Sequence, residues 1–256
     1  MEGECVEHHD SLTSTQIRGQ ELARAGIDKA LVIADEQTAG RGRIARRWES
    51  AKGNGLYFSI LFRPRLPPSV AHLLNAMAAL SVAEAVHRLS DIELQLKWPN
   101  DLLLPLASPG GGCKVCGILS ESSFQGGRLV YCVTGIGINL HKPQNLPAEV
   151  LGRIGWLYSD GEEADRAELL SRIVHVFFAW LRTMERDGVE NLLATYRKCC
   201  ASVGRTVRVE TEAETLTGLC TGIGDEGQLI IETAAGPRQF HVADITHARL
   251  EMGPTG

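Results

Sequence analysis

A segment rich in glycine and arginine, residues 37–48, has the residue types best suited to chemistry in this 256-residue sequence. Four arginines fall within seven positions there, at Arg41, Arg43, Arg46 and Arg47. Glycines let a backbone approach a ligand closely and expose N–H groups to it, while guanidinium groups bind phosphate or carboxylate through a bidentate fork. Trp48, which ends the segment, could cover an aromatic base. A solvated basic loop explains the segment about equally well when it is considered alone.

Three further segments each combine a polar or charged residue with a strand. Lys97-Trp98-Pro99-Asn100-Asp101 could position a carboxylate for a metal, although a turn at a strand end explains it better when it is considered alone. Lys114 leads into the apolar run Val115–Leu119 and could meet an anion, or could simply extend to solvent. Gly135-Ile136-Gly137-Ile138-Asn139 could admit a flat ligand, with Asn139 addressing an adenine or ribose, but a β-bulge explains the glycines equally well.

Two other motifs are excluded by what surrounds them. Cys113 and Cys116 form a single Cys-x-x-Cys pair without a second pair or a histidine motif, which argues against a zinc site. The pair precedes a strand and not a helix, which argues against a thioredoxin-like role. Residues 40–47 lack the Gly-Lys-Ser/Thr of a phosphate-binding P-loop.

Hydrophobic periodicity predicts an α+β fold in which a sheet carries these segments. Helices are expected at residues 14–25, 69–89, 165–186 and 189–201, with Gly26 as a left-handed C-terminal cap. Strands are expected at 30–34, 56–62, 94–98, 102–104, 115–124 and 129–138. After Gly204, short runs at 206–210, 214–223, 228–232, 238–242 and 245–250 predict a small all-β module. The predicted organisation is a tail over 1–13, a larger domain over 14–202 and a β domain over 203–256.

The composition is that of a globular, mildly acidic protein. Hydrophobic residues make up 44% and charged residues 22% of the chain, which excludes wholesale disorder. A net charge of −5 and a pI near 5.9 argue against a general nucleic-acid binder. No continuous apolar run approaches the roughly 18 residues of a membrane helix, and the N-terminus lacks the pattern of a signal peptide. We therefore expect a cytoplasmic protein, where its seven cysteines would stay reduced.

Taken together and in this order, the segments resemble those of the biotin protein ligases, also called biotin–[acetyl-CoA-carboxylase] ligases. The resemblance is carried by Ser14-Thr15-Gln16, Gly40–Trp48, Lys97–Asp101, Lys114–Leu119 and Gly135–Asn139. It implies a mixed-sheet catalytic domain over 14–202 and an SH3-like β-barrel over 203–256. It also implies ATP, biotin and Mg²⁺ as ligands and two half-reactions. The first forms biotinyl-5′-AMP and releases pyrophosphate, and the second transfers biotin to a lysine of a biotin carboxyl carrier domain.

By that resemblance the segments contribute to one site. Catalysis is assigned to Lys114, Arg41 and Arg43, with Lys114 binding the biotin carboxylate and the α-phosphate. The implied biotin-binding residues are Ser14, Thr15, Gln16, Gln37, Arg41, Gly42, Arg43, Lys114 and Gly117. The implied nucleotide-binding residues are Arg43, Arg46, Trp48 and Asn139, and the metal is assigned to Asp101.

The sequence departs from the family pattern in four places. Ala45 replaces a common glycine, and Pro105–Gly112 is a longer segment than usual, without an assigned role. Cys116 replaces a small residue, and its nearness to Cys113 prompts the hypothesis that oxidation of the pair would distort the site. Thirteen residues before Ser14 are too few for the winged helix-turn-helix of relatives that repress transcription, so repressor activity is not expected. The acceptor carboxylase, and the choice between monomer and homodimer, stay open.

Three other functions are weighed against a biotin ligase. A lipoate–protein ligase or octanoyltransferase shares the fold, but is expected to lack the motifs at 40–46 and 97–101. A non-catalytic biotin or nucleotide sensor is expected to lack Lys114 or Arg41, and both are present. A DNA-binding regulator is disfavoured by the net charge of −5.

Overall fold

A seven-stranded mixed sheet forms the larger part of the computed structural model, which describes residues 5–43, 46–105, 112–143, 153–159, 161–162, 164–211, 213–241 and 244–247. Its strand order is β1-β2-β3-β7-β6-β5-β4, and every neighbouring pair is antiparallel except β1 and β2. The strands are β1 (Cys5–His9), β2 (Ala30–Ala34), β3 (Gly55–Phe62), β4 (Gln95–Lys97), β5 (Asp101–Pro105), β6 (Gly112–Gln125) and β7 (Arg128–Asn139). The α+β class predicted from the sequence is confirmed.

Helices cover both faces of this sheet, and this explains why all eight residues of β3 are buried. Helix α1 (Thr15–Arg24) packs Leu22 and Ala23 against β2, β3 and β7 on one face. On the other face lie α2 (Leu74–Ser90), α3 (Arg166–Asp187) and α4 (Glu190–Cys199). In α3 the buried residues recur at helical spacing, as expected for an amphipathic helix.

A smaller antiparallel sheet follows, in the order β11-β10-β9-β8-β12. Its strands are β8 (Thr206–Glu210), β9 (Thr215–Ile223), β10 (Leu229–Thr233), β11 (Gly236–Phe240) and β12 (Asp244–His247). Val207 and Val209 are fully buried and belong to the same apolar cluster as the larger sheet. Trp98 also donates its indole N–H to the carbonyl of Gly227 at 3.0 Å. The two sheets are therefore joined by packing and by a partly buried hydrogen bond.

Two predictions made from the sequence need correction. The tail over 1–13 includes β1, because Cys5–His9 pairs with Ala30–Ala34 in parallel register. Its residues are mostly polar because it is an edge strand with one side facing solvent, and Glu7 binds Arg18 of α1 at 2.8 Å. The helix predicted at 69–89 begins with a 3₁₀ turn over Pro68–Leu73. Most of the Pro105–Gly112 segment, the position of Ala45 and residues 248–250 lie outside the described residues.

The stretch Pro68–Ser90 is long and apolar enough to cross a membrane when only length and composition are considered. Within the fold, 67% of its most apolar window is buried. It packs between the sheet and the other two helices of that face, which is the position of a core helix.

Phe177 is the core residue whose truncation we expect to cost most. It is fully buried in α3 and contacts Phe62 edge to face, with ring centroids 5.1 Å apart. Phe177→Ala should lower the free energy of unfolding by about 3–5 kcal/mol, because it leaves a cavity. Phe124→Ala, at a side chain that is 51% exposed, is the control and should change it by less than about 1 kcal/mol. Urea unfolding would measure both, and equal losses would contradict the core assignment.

Candidate active site

A cavity of about 180 Å³ lies where the N-terminus of α1, the arginine segment and strands β5, β6 and β7 meet. Glu210 and Ile245 of the smaller sheet also line it. Twelve of the thirteen site residues predicted from the sequence line this cavity: Ser14, Thr15, Gln16, Gln37, Arg41, Gly42, Arg43, Arg46, Trp48, Asp101, Lys114 and Gly117. These predicted residues, which lie up to about a hundred positions apart in the chain, are thus brought to one place.

The arginine segment folds back on itself as a narrow hairpin. The carbonyl of Gly40 accepts the N–H of Trp48 at 3.0 Å, and the N–H of Gly42 donates to the carbonyl of Arg46 at 2.7 Å. A side chain at position 40 would collide with the carbonyl of Trp48, so this crossing requires glycine. The hairpin holds its arginines against the cavity, and Arg43 donates to Oδ1 of Asn100 at 3.3 Å.

Trp48 lies flat on the sheet over two glycines. Gly117 of β6 and Gly137 of β7 are register partners. A Cβ atom at Gly117 would lie 2.7 Å from Cζ3 of Trp48, and one at Gly137 would collide with the indole nitrogen. The glycines of both motifs therefore make room for a flat group. The sequence left that reading open for residues 135–139 against a β-bulge, and in this structure the group is the protein's own indole.

Lys114 lies in the cavity wall between a carboxylate and an aromatic ring. Its ammonium lies 2.7 Å from Oδ1 of Asp101 on β5 and 5.1 Å from the ring centroid of Trp48. Its backbone is bound to the segment 153–155, because its N–H donates to the carbonyl of Arg153 at 2.8 Å and its carbonyl accepts from Gly155 at 2.9 Å. An ammonium between a carboxylate and an aromatic face is positioned before any ligand arrives.

Hydroxyl and amide groups line the cavity beside α1. Oε1 of Gln37 accepts from the N–H of Thr15 at 2.9 Å and from its hydroxyl at 3.2 Å. The hydroxyl of Ser59 donates to Oγ1 of Thr15 at 2.8 Å. Ser14 precedes the helix without capping it, and among the described residues its buried hydroxyl has no hydrogen-bond partner. These groups are arranged to recognise a polar, uncharged part of a ligand.

Asn139 is the predicted site residue that the structure does not bring to the described lining of the cavity. Its side-chain amide donates to the carbonyl of Gly155 at 3.0 Å and to that of Lys114 at 3.4 Å. It therefore ties the backbone of Lys114 to the segment 153–155 that holds it. Its assignment to nucleotide binding stays a prediction.

Several residues at the cavity were not assigned from the sequence. Arg47, Lys97 and Asn100 belong to segments that the sequence analysis quoted, so their nearness was readable from the motifs. Glu121 contacts the site through Arg41 and Gln16, and its only signal is a carboxylate in a strand of apolar and small residues. Glu210 carries no signal, because its strand belongs to the second sheet.

The lining is strongly cationic although the chain is acidic. Among the described residues, six basic side chains line the cavity (Arg41, Arg43, Arg46, Arg47, Lys97 and Lys114), against the two carboxylates of Asp101 and Glu210. Clefts lined by one sign of charge concentrate ligands of the opposite sign. The site is therefore built for anions.

The Cys113/Cys116 hypothesis finds no support in the geometry. Both residues lie in β6, where three residues span about 10 Å, whereas a disulfide needs Cα atoms within about 7 Å. Burial also raises the pKa of the Cys116 thiol well above its usual range, so the thiol stays neutral and unreactive.

We expect iodoacetamide at neutral pH to alkylate the exposed Cys199 and to leave Cys116 unmodified. Diamide should then leave the activity of the site unchanged, because no disulfide can form within β6 without moving the backbone. Peptide mass spectrometry reports which thiols react. Alkylation of Cys116 before Cys199 in the folded protein would overturn this expectation.

A methyl group at Gly137 should displace Trp48 from the sheet. Gly137→Ala is expected to cost about 1–3 kcal/mol of folding stability through overpacking and to shift the emission of the protein's tryptophans to longer wavelength. Gly222→Ala in β9 is the matched control, because a Cβ atom there meets nothing within 4 Å. Urea unfolding and fluorescence measure the effects. Identical behaviour of the two variants would show that the position of the indole does not depend on the space left by Gly137.

Comparison with known proteins agrees with this geometry. The family model for the biotin/lipoate A/B protein ligases matches residues 9–139, and the model for the biotin protein ligase C-terminal domain matches residues 203–247. The bifunctional ligase/repressor BirA of Bacillus subtilis is 34% identical over 246 residues, which cover 95% of this chain and 74% of that protein. The biotin–[acetyl-CoA-carboxylase] ligase of Paracoccus denitrificans is 30% identical, over 91% of this chain and 96% of that protein.

A solved structure shows the same architecture. The biotin protein ligase from Aquifex aeolicus in complex with biotin and ATP superposes with a TM-score of 0.79 and 28% identity, covering 97% of this chain and all of that one. The likeness spans both the larger sheet with its cavity and the smaller sheet. The chain belongs to the biotin/lipoate A/B protein ligase family.

Proposed function

We propose that this protein is an ATP-dependent biotin protein ligase, which joins biotin to a lysine of a biotin carboxyl carrier domain through biotinyl-5′-AMP. The observation that carries the proposal is the cationic cavity in which Lys114 and the arginine hairpin face one another. The Paracoccus relative is a biotin–[acetyl-CoA-carboxylase] ligase, and the Aquifex structure contains biotin and ATP. That pair of ligands is the one this cavity would have to accommodate.

The reaction sets an electrostatic problem that the cavity is suited to solve. Biotin carries a carboxylate and ATP a triphosphate, so the two reactants repel each other as they approach. Cations fixed around the reacting atoms remove this repulsion and stabilise the charge that develops on the phosphate in the transition state. Because the cations are held before the substrates bind, little reorganisation is needed during the reaction.

Each half-reaction forms one bond and releases one leaving group. In the first, an oxygen of the biotin carboxylate attacks the α-phosphorus of ATP, and pyrophosphate leaves. In the second, the ε-amine of the carrier lysine attacks the acyl carbon of the mixed anhydride, AMP leaves with the bonding electron pair, and the nitrogen loses a proton. The product is an amide between biotin and the carrier.

Lys114 is the residue to which we assign the central role. Its ammonium would leave Asp101 or share its charge, and would contact the biotin carboxylate and the α-phosphate together. Arg41, Gly42 and Arg43 would close the hairpin over the adenylate, and Arg46 would add a phosphate contact. Trp48 would be the aromatic neighbour of the adenine.

The remaining polar lining would hold the biotin rings. Ser14 has a buried hydroxyl available for a ligand, and Thr15 and Gln37 are hydrogen-bonded to each other. Gln16 is held separately, by Glu121, Val133 and Ser59. Gly117 would contribute its backbone. These groups suit the urea-like part of biotin, which needs both donors and acceptors.

Mg²⁺ would enter with ATP and not occupy a resident site. Among the described residues no group of three or more histidine, cysteine or acidic side chains could hold a metal, and Asp101 is engaged by Lys114. Mg²⁺ is commonly bound through one or two carboxylates together with substrate phosphates. Asp101, which lines the cavity, is the carboxylate that we assign to that purpose.

We further propose that the enzyme works in the cytoplasm, as a monomer or homodimer, and does not bind nucleic acid. All seven cysteines are unpaired, as is usual in a reducing compartment. The net charge of −5 disfavours a phosphate backbone as partner outside the cavity.

Intact-mass spectrometry of a biotin carrier domain incubated with the protein, ATP, Mg²⁺ and biotin tests the function. Wild type should add one biotinyl group to the carrier. Lys114→Ala should lower kcat/KM by about 10²–10³-fold, because a preorganised charge at the reacting phosphate is lost. Lys198→Ala, an exposed lysine of α4, is the matched control and should behave as wild type.

Lipoate as a competing acid separates the proposed function from its nearest alternative. A mass gain with lipoate or octanoate and none with biotin would assign the protein to the lipoate branch of the family. Ligand binding without any modification of the carrier would make it a sensor.

A further inference from the structure

We infer that Glu121 is a positioning residue of this site, which holds both Arg41 and Gln16 in the geometry that receives biotin. The inference deepens the proposed function and rests on it. The observation behind it is that one carboxylate joins three elements at the edge of the cavity: β6, α1 and the arginine hairpin.

The contacts of Glu121 use both carboxylate oxygens. Oε1 accepts from Nη2 of Arg41 at 3.1 Å, and Oε2 accepts from Nη1 of the same guanidinium at 3.4 Å. Oε2 also accepts from the side-chain amides of Gln16 at 2.9 Å and Gln20 at 2.8 Å. The forked contact with Arg41 fixes the plane of the guanidinium as well as its distance.

The carboxylate also decides which atom Gln16 presents. Glu121 can only accept hydrogen bonds when it is ionised, so the NH₂ group of Gln16 must face it. That NH₂ also donates to the carbonyl of Val133 at 2.9 Å, which leaves the amide oxygen near Ser59 and against Gly135. The NH₂ group of Gln16 is thus committed to Glu121 and Val133, and its oxygen lies on the side of Gly135, which is a residue of the cavity lining.

The charge of Glu121 has a second consequence for Arg41. The guanidinium stands among other cations, and its side chain is 40% exposed, so an unpaired Arg41 would be repelled toward solvent. The pair keeps the side chain at the cavity edge. The guanidinium of Arg41 can then bind a substrate carboxylate, and the hairpin does not first have to become ordered.

Glu121→Gln tests the inference because it removes the charge and keeps the shape. It also places an NH₂ group against other hydrogen-bond donors. The NH₂ group of Gln16 is then no longer held against position 121. We expect the KM for biotin to rise about three- to tenfold with kcat nearly unchanged, since the loss is in binding geometry. Glu121→Asp, which keeps the charge on a shorter side chain, should recover part of the loss.

Glu7→Gln is the matched control. Glu7 also binds an arginine through both oxygens, Arg18 of α1 at 2.8 Å for each contact, but it lies away from the cavity. The hydrogen bonds from Arg18 lower the pKa of Glu7 to about 2, so this pair is at least as well formed. Glu7→Gln should reduce stability and leave the KM for biotin unchanged.

A readout that needs no activity separates this inference from the proposed function. Trypsin must capture the Arg41 side chain before it can cut the Arg41–Gly42 bond, so release from Glu121 should speed cleavage. We expect cleavage there to be about three- to tenfold faster in Glu121→Gln, and unchanged in Glu7→Gln. Peptide mass spectrometry identifies the cut bond.

The outcomes are distinct. If Glu121→Gln matches Glu7→Gln in both KM and cleavage, the positioning role is overturned, whatever the wild type catalyses. If wild type forms no biotinyl-5′-AMP, the proposed function fails, and the cleavage rates still decide whether Glu121 holds the hairpin. If Glu121→Gln lowers kcat and stability together while the KM for biotin stays constant, Glu121 has only a structural role and the inference is overturned.

Discussion

Mutual repulsion among the cations of the cavity is the constraint on which the rest of the site depends. Two unit charges about 8 Å apart repel by about 2 kcal/mol at an effective dielectric near 20, and six such side chains line one small cavity. Carboxylates on neighbouring strands offset this repulsion. Asp101 on β5 neutralises Lys114, and Glu121 on β6 neutralises Arg41. Because both carboxylates sit on the sheet and not on loops, the cations are fixed in direction.

The sheet can hold the cations of the cavity in place because two of its residues there are glycines, which have no side chain. Gly117 and Gly137 leave a flat patch on adjacent strands, and the indole of Trp48 fills it. The arginine hairpin is attached to the sheet through this contact, since Trp48 ends the hairpin. The same contact brings an aromatic face to within 5.1 Å of the Lys114 ammonium. Packing and electrostatics therefore depend on the same two glycines.

Much of the fold could be predicted from local patterns, since the strand at 30–34 and that at 206–210 have the expected bounds. Strand β1 could not, because an edge strand needs no apolar alternation and reads as a polar tail. At the site, the resemblance grouped residues that line one cavity, including Lys114 and Arg41. The role of the glycines was left open between a ligand seat and a bulge. Only the position of Trp48, which is set by tertiary packing, shows what they accommodate.

Contacts between distant segments account for what local patterns missed. Glu121 is 80 positions from Arg41 and 105 from Gln16, so no periodicity links them. Glu210 and Ile245 reach the cavity only because the smaller sheet docks on the larger one. Trp98 forms part of that docking through Gly227, while Asp101, three residues further on, pairs with Lys114. One short motif thus contacts both the second sheet and the charged centre, and the shape of the cavity depends on how the two sheets are joined.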